Sequence, residues 1–162
     1  METHTYITTI YDSGVSSAIR DTAWIIPTIQ SIHILAIAIL IGSVLVTDLR
    51  LAGVLAVEES LQAVASRYMK WVWTALAVLL ATGLVMVIGE PERTLLNPIY
   101  WLKMALVLSA TVMTLLFRLP LLRPDFRLEH AYWARATKPL AWLSLLIWIG
   151  VIFCGRWIAY VQ

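Results

Sequence analysis

The stretch AWIIPTIQSIHILAIAILIGSVLV, residues 23–46, decides the fold class, because it contains no charged residue. A helix needs about 20 predominantly apolar residues to cross the hydrocarbon core of a bilayer. Further apolar runs of this kind follow along the chain. Together they predict four membrane spans, over residues 23–46, 71–89, 99–119 and 139–160. We therefore expect an all-α integral membrane protein that folds as a four-helix bundle.

The composition supports this class and argues against others. Of the 162 residues, 60% are hydrophobic and the mean hydropathy is +0.82, whereas soluble domains are about 45–50% apolar. The net charge is only +2, and the cations are divided among loops rather than gathered in the basic patch typical of nucleic-acid binding. Cys154 is the only cysteine, so no internal disulfide can form.

The chain divides into a polar N-terminal segment, residues 1–22, and a four-span transmembrane domain, residues 23–162. The N-terminal segment can hold a short surface helix over residues 16–21. A charged amphipathic segment, residues 125–138, separates the third and fourth spans.

Basic residues predict the orientation of the spans. They concentrate in the loops after the first and third spans, as Arg50, Arg67, Lys70, Arg118, Arg123, Arg127, Arg135 and Lys138. Because loops rich in Lys and Arg stay in the cytoplasm, we expect both termini to lie outside the cytoplasm.

His33 is the unusual residue of the first span. It lies about ten residues, or roughly 15 Å, from the predicted outer end of that helix. Gln30 lies one turn earlier on the same side, and we count it with His33 as a cofactor-binding candidate. Ionisable side chains inside spans are functional by default, which makes His33 a candidate axial ligand to haem iron or a ligand to copper. The alternative is a packing histidine that bonds to a neighbouring helix.

His130 is the second candidate ligand. Its spacing from Phe126 and Trp133 predicts that it shares a helical face with them, directed toward the membrane or the bundle. It can reach the same haem as His33 only if residues 125–138 dip into the bilayer. The alternatives are an interfacial histidine packed with aromatic rings and, at the sixth coordination position, an open site, a methionine or His33 of another subunit.

Two cations lie toward the predicted outer ends of the spans. Lys103 is about one turn inside the third span, and Arg156 is near the end of the fourth. Either they extend to lipid headgroups, or they form a cationic shelf that holds the propionates of a haem bound at His33.

Small residues occur in all four spans and allow close approach of helices. They are Gly42, Ser43, Ala81, Gly83, Ser109, Ala110, Gly150 and Gly155. They favour a bundle, and we expect a homo-oligomer.

Four blocks of the sequence carry a family resemblance: HILAIAILIGSVLVTDLRLAG, LLATGLVMVIGEPERTLLNP, YWLKMALVL and SLLIWIGVIFCGRWIAY. With them the chain resembles, over residues 24–160, a family of small bacterial four-helix inner-membrane proteins of unassigned function. The histidine-bearing first span is more distantly similar to those of cytochrome-b-type and copper-resistance membrane proteins. The resemblance implies a bacterial inner-membrane location and haem b or copper at His33, but it supplies no second ligand.

The leading hypothesis is a haem-b-binding membrane protein that transfers electrons, with a quinone or a periplasmic protein as redox partner. His33 is the axial ligand in this hypothesis, and Lys103 and Arg156 hold the propionates. A transporter or copper-handling protein is one alternative. A non-catalytic membrane subunit whose histidine only packs is another.

Overall fold

The computed structural model describes residues 2–117, 131–158 and 160, with the side chains of residues 6–116, 136–158 and 160. Regular structure in this part of the chain is entirely helical. The helices are α1 (Glu2–Tyr11), α2 (Gly14–Asp21), α3 (Ile25–Leu51), α4 (Leu61–Gly89), α5 (Pro91–Leu95), α6 (Pro98–Phe117) and α7 (Ala131–Trp157).

The helices α3, α4, α6 and α7 are long and apolar enough to cross a membrane. They overlap the four predicted spans, but α3 continues past residue 46, and α4 and α7 begin well before residues 71 and 139. Helix α4 begins well before residue 71, because Ser60 caps its first turn by accepting from the Ala63 N–H at 3.2 Å. Its first turns bury Val64 and Met69 and leave Lys70 exposed, so they are amphipathic rather than uniformly apolar.

The four long helices pack through three interfaces. Helix α3 lies along both α4 and α7, and α6 lies along α7. Within the described residues, α4 and α6 do not pack directly against each other. The shared core consists of Leu40, Val44, Val72, Ala75, Leu76, Ala110, Trp148 and Val151.

Each long helix turns one stripe of residues toward this core. On α3 the buried positions Ala36, Leu40 and Val44 recur every four residues, as one face of a helix requires. Trp148 on α7 is only 3% exposed, and its indole N–H has no acceptor among the described residues.

The shorter helices α1, α2 and α5 cover the end of the bundle at which α3 begins and α4 ends, which we call the capped end. The predicted surface helix is confirmed as part of α2. Ser16 is fully buried and donates to the Ile88 carbonyl at 2.7 Å, while Arg20 donates to the Ser16 hydroxyl at 2.5 Å. The N-terminal segment is therefore more ordered than its polar sequence indicates, because these bonds attach it to the end of α4.

The predicted amphipathic segment, residues 125–138, lies partly outside the described residues. From Ala131 onward it forms the first turns of α7, which continues through Pro139 without a break.

Candidate functional site

His33 continues the inward stripe of α3 toward the capped end. It lies one turn before the buried Ala36 and is half-buried. Its Nδ1 atom is 2.7 Å from the Thr82 Oγ1 atom on α4. On the same side, a Cβ built on Gly83 would lie 3.8 Å from His33 Cε1, so the ring rests against the α4 backbone.

The hydrogen bonds of Thr82 bear on which nitrogen of His33 carries the proton. The Thr82 Oγ1 atom lies 2.7 Å from the Val78 carbonyl oxygen and 2.7 Å from His33 Nδ1. A hydroxyl has one proton, so when Thr82 donates it to the Val78 carbonyl, Thr82 Oγ1 accepts from the His33 Nδ1–H. A neutral imidazole with its proton on Nδ1 has its free lone pair on Nε2.

Lys103 on α6 is the cation of this region. It is half-buried. A Cβ built on Gly155 would lie 3.8 Å from both Cε and Nζ of Lys103, which places the ammonium against α7, at the residue that follows Cys154. No carboxylate in the described part of the chain pairs with Lys103.

One polar residue from each long helix thus stands at the capped end of the inward stripes. These residues, which we call the polar quartet, are His33, Thr82, Lys103 and Cys154. A hydrogen bond joins the first two, and Lys103 lies against Gly155, the residue that follows Cys154. Thr82 and Cys154 were not predicted as site residues, although the seven-residue spacing from Ala75 to Thr82 indicates a shared helical face.

The other predicted site residues lie apart from the polar quartet. Arg156 is exposed, donates to the Tyr160 hydroxyl at 2.5 Å and has its guanidinium carbon 4.9 Å from the centre of the Tyr160 ring. Gln30 is exposed and makes no hydrogen bond to His33 within the described residues. His130 lies outside the described residues, so its proposed role as a second ligand stays a prediction.

The polar quartet combines a nitrogen lone pair with a cation in apolar surroundings. The first can coordinate a metal and the second can bind an anionic group. Within residues 6–116 and 136–158, no group of three or more His, Cys, Asp or Glu residues is placed to hold a metal ion. The arrangement therefore offers one metal-coordinating histidine nitrogen and one cation rather than a set of protein ligands.

Comparison with known proteins gives one family assignment. The model of a family described as of unknown function (DUF6644) matches residues 19–161. No curated protein and no solved structure matches the chain.

Proposed function

We propose that the protein binds haem b through His33 and transfers electrons within a bacterial inner membrane. The chain belongs to DUF6644, a family of unknown function, so the support for this proposal comes from the polar quartet. The four long apolar helices support placement in a membrane. The basic residues of the loops support an orientation with both termini outside the cytoplasm.

The observation that carries the proposal is the hydrogen bond from His33 Nδ1 to Thr82. Histidines that coordinate metals donate their other ring N–H to an acceptor, which orients the ring and strengthens the ligating nitrogen. Thr82 allows this arrangement, because the Val78 carbonyl oxygen lies 2.7 Å from its Oγ1 atom and can accept the hydroxyl proton. The Nε2 atom, which carries the free lone pair, would then coordinate the iron.

A single histidine suits haem better than it suits a bare metal ion. The porphyrin brings four nitrogen ligands to the iron, so one protein nitrogen is enough to hold it. A copper ion needs several protein ligands. Haem b would supply one-electron redox chemistry, while the protein orients the group and sets its potential.

Lys103 fits the role of a propionate anchor. It is a half-buried cation without a carboxylate partner in the described residues, and an unpaired charge in an apolar region is costly. A propionate beside it would offset that cost. Arg156 is a weaker candidate because it is exposed and bonded to Tyr160.

A haemin titration of the purified protein in mild detergent tests the proposal. We expect saturable binding with a Soret band that shifts on reduction by dithionite, and loss of this binding in His33→Ala. Ser31→Ala is the matched control, because Ser31 is exposed on the same helix and, among the described residues, its hydroxyl donates to the Pro27 carbonyl of its own helix alone. Equal haemin binding by the wild type and His33→Ala would contradict the proposal.

The same preparation distinguishes the alternatives. A colourless protein that retains copper by elemental analysis supports the copper-handling alternative. A colourless, metal-free protein that does not take up haemin supports a packing role for the bond between His33 and Thr82. Native mass spectrometry in detergent tests the proposed homo-oligomer.

A further inference from the structure

The loop between α3 and α4, residues 52–60, presents an apolar surface at the end of the bundle opposite the capped end. We call it the distal loop. Val54, Leu55 and Val57 have exposed fractions of 60%, 43% and 62%. Adjacent aliphatic side chains on a short loop are unusual, because loops that face water are rich in polar residues.

The distal loop has a defined shape rather than an extended one. Gly53 and Ala56 both have positive φ angles, of 77° and 52°. Arg50, at the end of α3, reaches across the loop and donates from Nε to the Glu59 carbonyl at 3.0 Å. It also donates to the Val57 carbonyl at 3.4 Å. The guanidinium thus holds the loop in the conformation that displays the three aliphatic side chains.

Part of the backbone of the distal loop is hydrogen-bonded within the protein. The N–H groups of Val54 and Leu55 donate to the Leu49 carbonyl at 2.9 and 3.3 Å, and the Glu59 N–H donates to the Ala56 carbonyl at 3.1 Å. A backbone N–H or C=O group without a hydrogen-bond partner is costly in the hydrocarbon phase, and this cost keeps most loops in water. The partners of the Val54, Leu55 and Glu59 N–H groups reduce the cost of contact with an apolar phase.

Cations also lie next to the distal loop. The Lys138 Cε atom would lie 3.9 Å from a Cβ built on Gly53. Arg67 pairs with Glu59 at 3.1 Å, yet 58% of its side chain remains exposed. Apolar side chains beside exposed Lys and Arg are typical of segments that lie in the interfacial layer of a membrane with anionic lipids.

We propose that the distal loop dips into the bilayer surface, with Val54, Leu55 and Val57 against the acyl chains and the neighbouring cations at anionic headgroups. This inference rests on the membrane placement proposed above and not on haem binding. A protein partner is a poorer fit, because a stable protein interface takes about 800 Å² from each side, and three aliphatic side chains provide far less.

Site-directed spin labelling in vesicles of phosphatidylethanolamine and phosphatidylglycerol tests the proposal. Replacing Cys154 by Ser leaves a chain without cysteine, into which Val54→Cys and Val57→Cys can be introduced singly. Both positions are exposed, so the labels leave the core undisturbed. We expect accessibility to oxygen relative to a water-soluble nickel chelate to be several-fold higher at these positions than at Glu58→Cys, the matched control in the same loop.

Dominant accessibility to the nickel chelate at both valine positions would overturn the proposal and leave the aliphatic side chains as a surface for a protein. A label at Leu108→Cys, on the exposed face of α6, separates this result from failure of the membrane placement. High oxygen accessibility at Leu108 with low values at Val54 and Val57 refutes only the loop proposal. Nickel accessibility at Leu108 as well would refute the membrane placement.

Discussion

The substitution Thr82→Val isolates the hydrogen bond on which the proposed haem site depends. Valine has nearly the shape of threonine but lacks the hydroxyl, so the His33 Nδ1–H loses its acceptor at 2.7 Å while the packing between α3 and α4 is retained. Hydrogen bonds between membrane helices contribute from about 0.6 to 2 kcal/mol. Because His33 is half-buried and part of the lost bond can be replaced by water, we expect the free energy of unfolding to fall by about 1 kcal/mol.

The effect on haem binding should be larger than the effect on stability. Loss of the group that orients a metal-coordinating histidine weakens metal affinity or activity by about 10–100-fold. We therefore expect the dissociation constant for haemin to rise by about that factor. Thr82→Ser keeps the hydroxyl and should remain close to the wild type in both properties.

Two measurements check this prediction: unfolding in mixed micelles with an increasing fraction of dodecyl sulfate, followed by circular dichroism, and haemin titration followed at the Soret band. A variant that is less stable but binds haemin as tightly as the wild type would show that the bond between His33 and Thr82 only joins the helices. Unchanged values for both properties would show that the bond between His33 and Thr82 contributes to neither stability nor haemin binding, and would refute the proposal that it supports the ligand.

Further predictions concern the capped end, the core and the cation. Gly89→Ala places a Cβ 3.0 Å from Ile19 Cγ2 and 3.1 Å from Ile26 Cδ1; the overpacking should cost about 1 kcal/mol and speed amide exchange in α2. Trp148→Phe removes a buried N–H that has no acceptor among the described residues. The free energy of unfolding should therefore change by less than about 1 kcal/mol, whereas Trp148→Ala should lower it by about 3–5 kcal/mol. Lys103→Met removes a half-buried cation and should weaken haemin binding while leaving stability equal or higher.

Each of these predictions has either a control variant or a result that would contradict it. Gly42→Ala meets no atom within 4 Å and should be neutral or stabilising by about 0.5–1 kcal/mol; equal losses from Gly42→Ala and Gly89→Ala would contradict the steric explanation. A large loss of stability in Trp148→Phe would mean that the indole N–H has a partner. Unchanged haemin affinity in Lys103→Met would remove Lys103 from the site.

The apolar helices could be predicted from sequence because bilayer thickness sets the length of an uncharged run. Their true ends could not, since the first turns of α4 are amphipathic and depend on packing of Val64 and Met69 against the bundle. The N-terminal segment forms the ordered helices α1 and α2 because of tertiary contacts, such as the hydrogen bond from Ser16 to the Ile88 carbonyl, and these contacts could not be predicted from sequence either.

For the candidate site, His33 and Lys103 stood out as polar residues within apolar runs. Thr82 did not, because threonine is common in membrane helices and its bond to His33 appears only when α3 and α4 are paired in register. Cys154 was noted only as a residue that cannot form an internal disulfide. The contact of Lys103 with the adjacent Gly155 follows from the packing of α6 on α7.

The most direct test of the central claim, that His33 Nε2 is a haem ligand, is chemical rescue of His33→Ala by imidazole. The substitution removes the ring and leaves space for a free imidazole at the same place. We predict that His33→Ala fails to hold haem, and that added imidazole restores a Soret band at the wild-type position. Undiminished haem binding by His33→Ala without imidazole, or a wild-type protein that binds no haem, would contradict the claim.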